Sequence, residues 1–140
     1  MVKQNPELLG ALNHALAEEM AAIVQYMWHH VMVRGMESPE LMEKFRESSM
    51  EEMKHAEMLA ERIDYLGGTP TTAVGPIQMG GDAHQMVVDD LAAEERAIKM
   101  YREYVDLAQR LGDVVTRHIL EEILEDEEEH AHLWETVLGK

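Results

Sequence analysis

Glu52 and His55 stand three residues apart, and so do Glu127 and His130. A carboxylate and an imidazole at that spacing project from the same side of a helix and can grip one metal ion between them. Glu19 and Glu94 are single glutamates in two other helical segments. Together the six residues make the ligand set of a carboxylate-bridged dinuclear centre: two Glu-x-x-His motifs facing each other across a core, with one further carboxylate from each remaining helix. The charges balance as well, because four buried carboxylates with neutral imidazoles are cancelled by two divalent cations. Without metal, several of these glutamates would hold protons or draw in water.

The elements that must position them are visible in the apolar periodicity. Leu9, Leu12, Leu16, Glu19, Ile23, Tyr26, His30 and Val33 alternate steps of three and four, the seam of a helix packed in a bundle. Met42, Phe45, Ser49, Glu52, Ala56, Leu59, Ile63 and Leu66 repeat the pattern after Ser38-Pro39, where proline suits the start of a helix. Val87, Leu91, Glu94, Ile98, Tyr101, Val105 and Ala108 form a third seam, and Thr116, Leu120, Ile123, Glu127, His130, Trp134 and Val137 a fourth. Helices are expected at about 5–34, 38–66, 83–111 and 113–138, within a single domain spanning residues 1–140.

The register separates ligands from neighbours. Glu18, Glu95, Glu128 and Glu129 flank Glu19, Glu94 and Glu127 but fall outside the seams, so they should face solvent. A lone Glu-x-x-His in an acidic helical chain is common by chance; six residues in register at one height are not.

Short corners near residue 35 and at Leu111-Gly112-Asp113 make antiparallel pairs of helices 1 and 2 and of helices 3 and 4. Residues 67–81, rich in glycine and proline, can extend to roughly 50 Å, enough to run the roughly 42 Å of a 28-residue helix. The fold class is therefore all-α, an antiparallel four-helix bundle with one long crossover between helices 2 and 3.

Composition narrows the chemistry. The chain has no cysteine, which excludes thiolate-bound zinc, iron-sulfur clusters and disulfides. A net charge of −16 opposes binding to DNA or an anionic membrane and makes cations the plausible partners. The first residues show no signal or transit pattern, so a cytoplasmic protein is expected.

Over nearly its whole length the chain resembles the bacterioferritins, within the ferritin-like di-iron superfamily. The resemblance is carried by EEMAAIVQY at 18–26, EEMKHAEMLAERI at 51–63, DLAAEERA at 90–97 and EILEDEEEH at 122–130. It implies two iron ions per chain held by Glu19, Glu52, His55, Glu94, Glu127 and His130, with Glu52 and Glu127 bridging. Tyr26 matches a tyrosine close to the iron pair. Met53 matches the methionine that binds haem, one from each of two subunits. Met20, Val24, Met27, Val31, Met50 and Met53 independently form a second apolar stripe on helices 1 and 2, suited to a homodimer and, on the resemblance, to a shared porphyrin.

The function implied is a ferroxidase that oxidises Fe(II) with oxygen or hydrogen peroxide and stores the product in a small cage. The chain departs from the family in two places. It ends at Gly139-Lys140, where bacterioferritins continue into a fifth helix, so a dodecameric shell, as in mini-ferritins of the Dps type, is expected rather than a 24-subunit one. Dps proteins, however, place their iron site between subunits, whereas this chain carries a complete set. Glu47 stands where a histidine often serves the family's inner-surface iron relay. A manganese-catalase-like or peroxidase-like dimetal enzyme, and a haem-binding structural dimer without storage, remain open at the level of sequence.

Overall fold

A computed structural model describes residues 3–140. Four helices follow in order: α1 (Pro6–Met32), α2 (Ser38–Tyr65), α3 (Ala83–Arg110) and α4 (Val114–Val137). Three of the four starts are fixed by side chains that accept from the first-turn amides: Asn5 from Leu8 N at 3.0 Å, Asp82 from Gln85 N at 2.8 Å and Asp113 from Thr116 N at 3.0 Å. Proline follows at the first position of α1 and the second of α2, where no intrahelical donor is lost. The α3–α4 corner turns through Gly112 at φ 75°, a backbone conformation glycine adopts without Cβ strain. There Asp113 N donates to Ala108 O at 2.9 Å, closing α3 one residue before α4 begins.

α1 pairs with α2 and α3 with α4, each antiparallel, and the crossover joins the two hairpins. It climbs along α1: Asn13 bonds both Thr69 O and Thr71 N, Gly75 N donates to Ala17 O, and Gln25 Oε1 accepts from Gln78 N. α3 therefore starts at the far end and runs parallel to α2. None of the described helices is long and apolar enough to cross a membrane.

The apolar core is split in two. One cluster fills the end holding Leu8, Leu12, Leu59, Ile63, Tyr101 and Leu120, and the other the end holding Tyr26, Phe45, Met86, Val87, Leu91 and Trp134. Between them lies a layer of buried polar side chains. Where apolar surface seals both sides, an unpaired charge is expensive, so the layer calls for compensation from within.

The seams shift in places. α1 buries Leu8, Gln25 and His29, while Leu9, Ile23 and His30 are only half-buried; Met42 and Val137, expected in the core, are exposed. On α1 the reason is polar pairing that an apolar pattern cannot reveal. Gln25 and His29 are buried because both bond Asp90 on α3, through Gln25 Nε2 to Oδ1 at 2.8 Å and His29 Nδ1 to Oδ2 at 2.9 Å. His30 instead donates from Nδ1 to the Met42 carbonyl at 2.7 Å.

Candidate metal centre

Glu19 from α1, Glu52 and His55 from α2, Glu94 from α3, and Glu127 and His130 from α4 meet in the polar layer, all buried. They form two sets, Glu19-Glu52-His55-Glu127 and Glu52-Glu94-Glu127-His130, each with four ligand atoms within 4.8 Å of one another. Glu52 and Glu127 belong to both sets, the placement a bridging carboxylate requires. Of the flanking acids, Glu95, Glu128 and Glu129 are exposed and Glu18 is half-buried.

Each of the six side chains keeps one buried atom with no hydrogen-bond partner: Glu19 Oε2, Glu52 Oε1, His55 Nδ1, Glu94 Oε2, Glu127 Oε1 and His130 Nδ1. Buried polar atoms are nearly always satisfied, so six orphans converging on one layer need an explanation. Around His55 Nδ1 the nearest carboxylate oxygens lie at 3.2 Å (Glu52), 3.4 Å (Glu19) and 3.6 Å (Glu127). Around His130 Nδ1 they lie at 3.3 Å (Glu127), 3.4 Å (Glu94) and 3.5 Å (Glu52). Ligand atoms held about 2.1 Å from a common metal ion stand about 3.0–3.4 Å apart. The donor set therefore fits two metal ions, with oxygen and imidazole ligands of the kind iron accepts.

The outward nitrogens are held. His55 Nε2 bonds Asp126 Oδ2 at 2.9 Å and His130 Nε2 bonds Glu51 Oε2 at 2.8 Å. A proton on Nε2, donated to the carboxylate, leaves the lone pair of Nδ1 directed at the layer. The supports are reciprocal: the acid beside each motif's glutamate orients the histidine of the other motif. On the carboxylate side, Tyr26 OH donates to Glu94 Oε1 at 2.6 Å and Tyr101 OH to Glu19 Oε1 at 2.8 Å. Trp134 Nε1 donates in turn to the Tyr26 oxygen at 2.8 Å.

Burial, and then the charges of neighbouring carboxylates, push Glu52 and Glu127 well above the usual carboxylate range; Glu94 is raised mainly by burial. Burial alone would lower His55, but the close Glu19 carboxylate, with Glu127 and Asp126, outweighs it and pushes the imidazole up to about 9. His130 is raised further by Glu127 and Glu94 against the same opposing effect. Metal ions bound by these side chains would take the place of the protons that the raised groups favour.

Comparison with known proteins agrees with this geometry. Residues 9–140 match the profile of the ferritin-like domain family. A bacterioferritin of Rhodobacter capsulatus is 35% identical over 99% of this chain and 86% of its own. This chain belongs to the bacterioferritin family. A second bacterioferritin, from Brucella melitensis, is likewise 35% identical, over 98% of this chain and 86% of its own length. Among solved structures, a ferritin-like, diiron-carboxylate protein from Bacillus anthracis superposes with a TM-score of 0.91 at 32% identity, covering 94% of this chain and 95% of that one. The fold is thus the ferritin-like bundle with its single long crossover.

Of the residues singled out in the sequence, Tyr26 lies against the bacterioferritin centre through Glu94, whereas Met53 lies apart from it on the outer face of α2, 49% exposed. Met27, Val31 and Met50 share that exposed stripe, Met20 and Val24 are half-buried, and Trp28, not anticipated there, is also exposed. Sequence reasoning also missed Glu51, Asp126 and the role of Tyr101. A signal existed for the first two: an acidic residue precedes the glutamate of both Glu-x-x-His motifs.

Proposed function

We propose that this chain is a ferroxidase of bacterioferritin type, for which iron storage and Fe(II) oxidation are supported at the level of the family. The observation that carries the proposal is the set of six buried, unpartnered ligand atoms from four helices. Two Fe(II) ions enter as substrate, one in each set, with Glu52 and Glu127 between them. Each loses one electron. Oxygen takes up the two electrons with two protons and leaves as hydrogen peroxide, or peroxide takes up two electrons and two protons and leaves as two waters. Carboxylates suit this change because they shift between one- and two-oxygen binding and stabilise the harder ferric ion.

The surrounding residues have separate tasks. Asp126 and Glu51 hold the imidazoles in the ligating tautomer. Tyr26 and Tyr101 fix one oxygen of Glu94 and of Glu19 and leave the other free. The two apolar clusters cover the layer toward the two ends of the bundle. Oxidised iron then passes to a small closed shell, most simply a dodecamer, in the cytoplasm.

The exposed stripe motivates the second part of the proposal. A monomer would leave Met27, Val31, Met50 and Met53 in water, so α1 and α2 pair with a second chain, with Met53 from each chain binding a shared haem.

The test is an anaerobic Fe(II) titration of the metal-free protein followed by oxygen, counting iron oxidised and retained per chain. Two irons oxidised rapidly, followed by continued soluble uptake, is the expected result; rapid oxidation that stops at two would remove storage and keep the enzyme. Glu94→Ala and His130→Ala should each slow rapid oxidation at least tenfold with the helical circular dichroism retained, and unchanged rates in both would sink the assignment. Porphyrin absorption bands lost in Met53→Leu, and native mass, test the haem and the shell.

A further inference from the structure

The end of the bundle where α2 and α3 begin and α4 finishes carries a groove of about 740 Å³. Leu41, Val87, Leu133, Val137 and Leu138 supply its apolar lining. Val137 belongs to the apolar seam of α4, yet it is 46% exposed, and Leu133 and Leu138 are half-buried. Seam positions that the chain's own helices leave uncovered suit apolar surface brought from outside. Glu37, Glu40 and Glu43 add three carboxylates along the α2 side, and none of them pairs with a lysine or arginine among the described residues. Lys44, which also lines the groove, is turned to Glu47 at 3.5 Å.

The same end presents a projection of matching character. Met36, in the short corner between α1 and α2, is 97% exposed, more than any other large apolar side chain among the described residues. Gly35 turns there at φ 112°, and Ser38 N closes the corner on Gly35 O at 3.1 Å, so Met36 stands on a tight turn rather than a loose loop. Two residues earlier Arg34 is also exposed. Its Nη1 donates to the carbonyls of Val31 and Val33 at 3.1 and 3.0 Å, and no carboxylate pairs with it among the described residues. At its exposure Met36 lies outside the groove of its own chain. The corner thus offers an apolar side chain beside an unpaired cation, and the groove offers an apolar lining beside unpaired anions.

We propose that the groove receives the α1–α2 corner of a second copy of this chain, with Met36 seated on the apolar lining and Arg34 meeting the Glu37, Glu40 and Glu43 carboxylates. Methionine and arginine both suit such a contact: the thioether adapts to an irregular apolar surface, and the arginine stem can lie along it while the guanidinium reaches the acids. In a chain of net charge −16, self-association works against repulsion, so an unpaired cation placed opposite three acids fixes which surfaces meet. Corner and groove are different surfaces. A chain that receives one corner still presents its own, and the contact repeats head to tail until a ring closes. The inference rests on the shell reading given above and names the contact that would extend α1–α2 dimers into it; it is independent of the metal centre.

The experiment is sedimentation velocity with native mass spectrometry on the full chain at fixed protein concentration, with helical circular dichroism as the check on folding. The parent should run as a species larger than a dimer. Met36→Asp, Arg34→Glu and Glu40→Arg should each deplete that species at least about tenfold and leave dimers, while the double variant Arg34→Glu with Glu40→Arg should restore it. Restoration by the second charge reversal separates a lost contact from a damaged fold, which a further substitution would not repair. The depletion in Arg34→Glu should shrink at high salt, because it arises from charges at an exposed rim. A large parent whose size is unchanged in Met36→Asp and Arg34→Glu would overturn this contact and keep the shell. A parent that is only a dimer would overturn both, and would leave the groove to a partner other than this chain.

Discussion

Replacing Glu127 with glutamine tests whether the polar layer is built for cations. The side chain is buried, Oε1 has no hydrogen-bond partner, and Glu19, Glu52 and Glu94 carry like charges around it while His55 and His130 carry the opposite charge when protonated. At the 4.8 Å outer limit of the ligand sets, each pair of unit charges interacts by about 3.5 kcal/mol at an effective dielectric of about 20. Three repulsions against two attractions leave roughly one pair uncompensated, and protons retained by the carboxyls remove part of that. Glutamine has nearly the shape and helix propensity of glutamate, so the metal-free variant should gain about 1–3 kcal/mol, a rise in Tm of roughly 3–10 °C for a chain of this size. With metal the sign reverses, because the variant loses an oxygen shared by both sets and metal binding adds stability to the parent. The assay is thermal unfolding by circular dichroism at fixed protein concentration and pH 7, with chelator and with two equivalents of Co(II). A metal-free Glu127→Gln protein that melts below the parent would refute the reasoning, since the carboxylate would then be a structural member rather than a charge awaiting a cation.

Three further outcomes are expected. Tyr26→Phe removes the donor to Glu94 and leaves Trp134 Nε1–H without its acceptor; it should cost about 1–3 kcal/mol in chemical denaturation, and no measurable loss would mean that water replaces the phenol. Asp126→Ala and Glu51→Ala release the outward nitrogens of His55 and His130 and should each weaken Co(II) affinity about 10- to 100-fold by calorimetry; less than a threefold change would remove their orienting role. The metal-free protein should lose stability as pH rises from about 6 to about 10. His55, raised to about 9, contributes stability that is complete below its unfolded pKa and lost as pH rises through the folded value, and the raised Glu52 and Glu127 act with the same sign. Asp113, held below the usual range, has the opposite sign and acts only in acid. A flat Tm across that window would contradict the charge layer.

The parts of the bundle that follow local rules were legible in the sequence. Helix count, hairpin pairing and the direction of the crossover come from periodicity, capping residues and glycine and proline density, all set within a few residues of chain. The convergence of six side chains in one buried layer could be read because a buried charge within an apolar seam is anomalous, and because a spacing of three is fixed by helix geometry. The Gln25-His29-Asp90 group could not be read the same way: its members lie about sixty-five residues apart on α1 and α3, and each alone looks like a surface polar residue. His30, chosen for the seam, is displaced by His29 because a buried acid on another helix, rather than hydrophobicity, determines which of the two turns inward. Tyr101 was visible as an apolar position, but its hydroxyl bond to Glu19 depends on the relative height of two antiparallel helices, which no local pattern specifies.

The reciprocal support of the two histidines has a consequence for the order in which the chain is made. Synthesis delivers the first hairpin complete with Glu19, Glu52 and His55, yet the acid that orients His55 is Asp126, seventy-one residues further on. His130 in turn relies on Glu51, already made. Neither hairpin can finish its own half of the centre. A nascent chain displaying only α1 and α2 would hold half of the grouped side chains, with His55 lacking its partner acid, so any metal affinity that depends on the full set would await docking of the second hairpin. The crossed carboxylates thereby tie completion of the polar layer to completion of the fold that contains it.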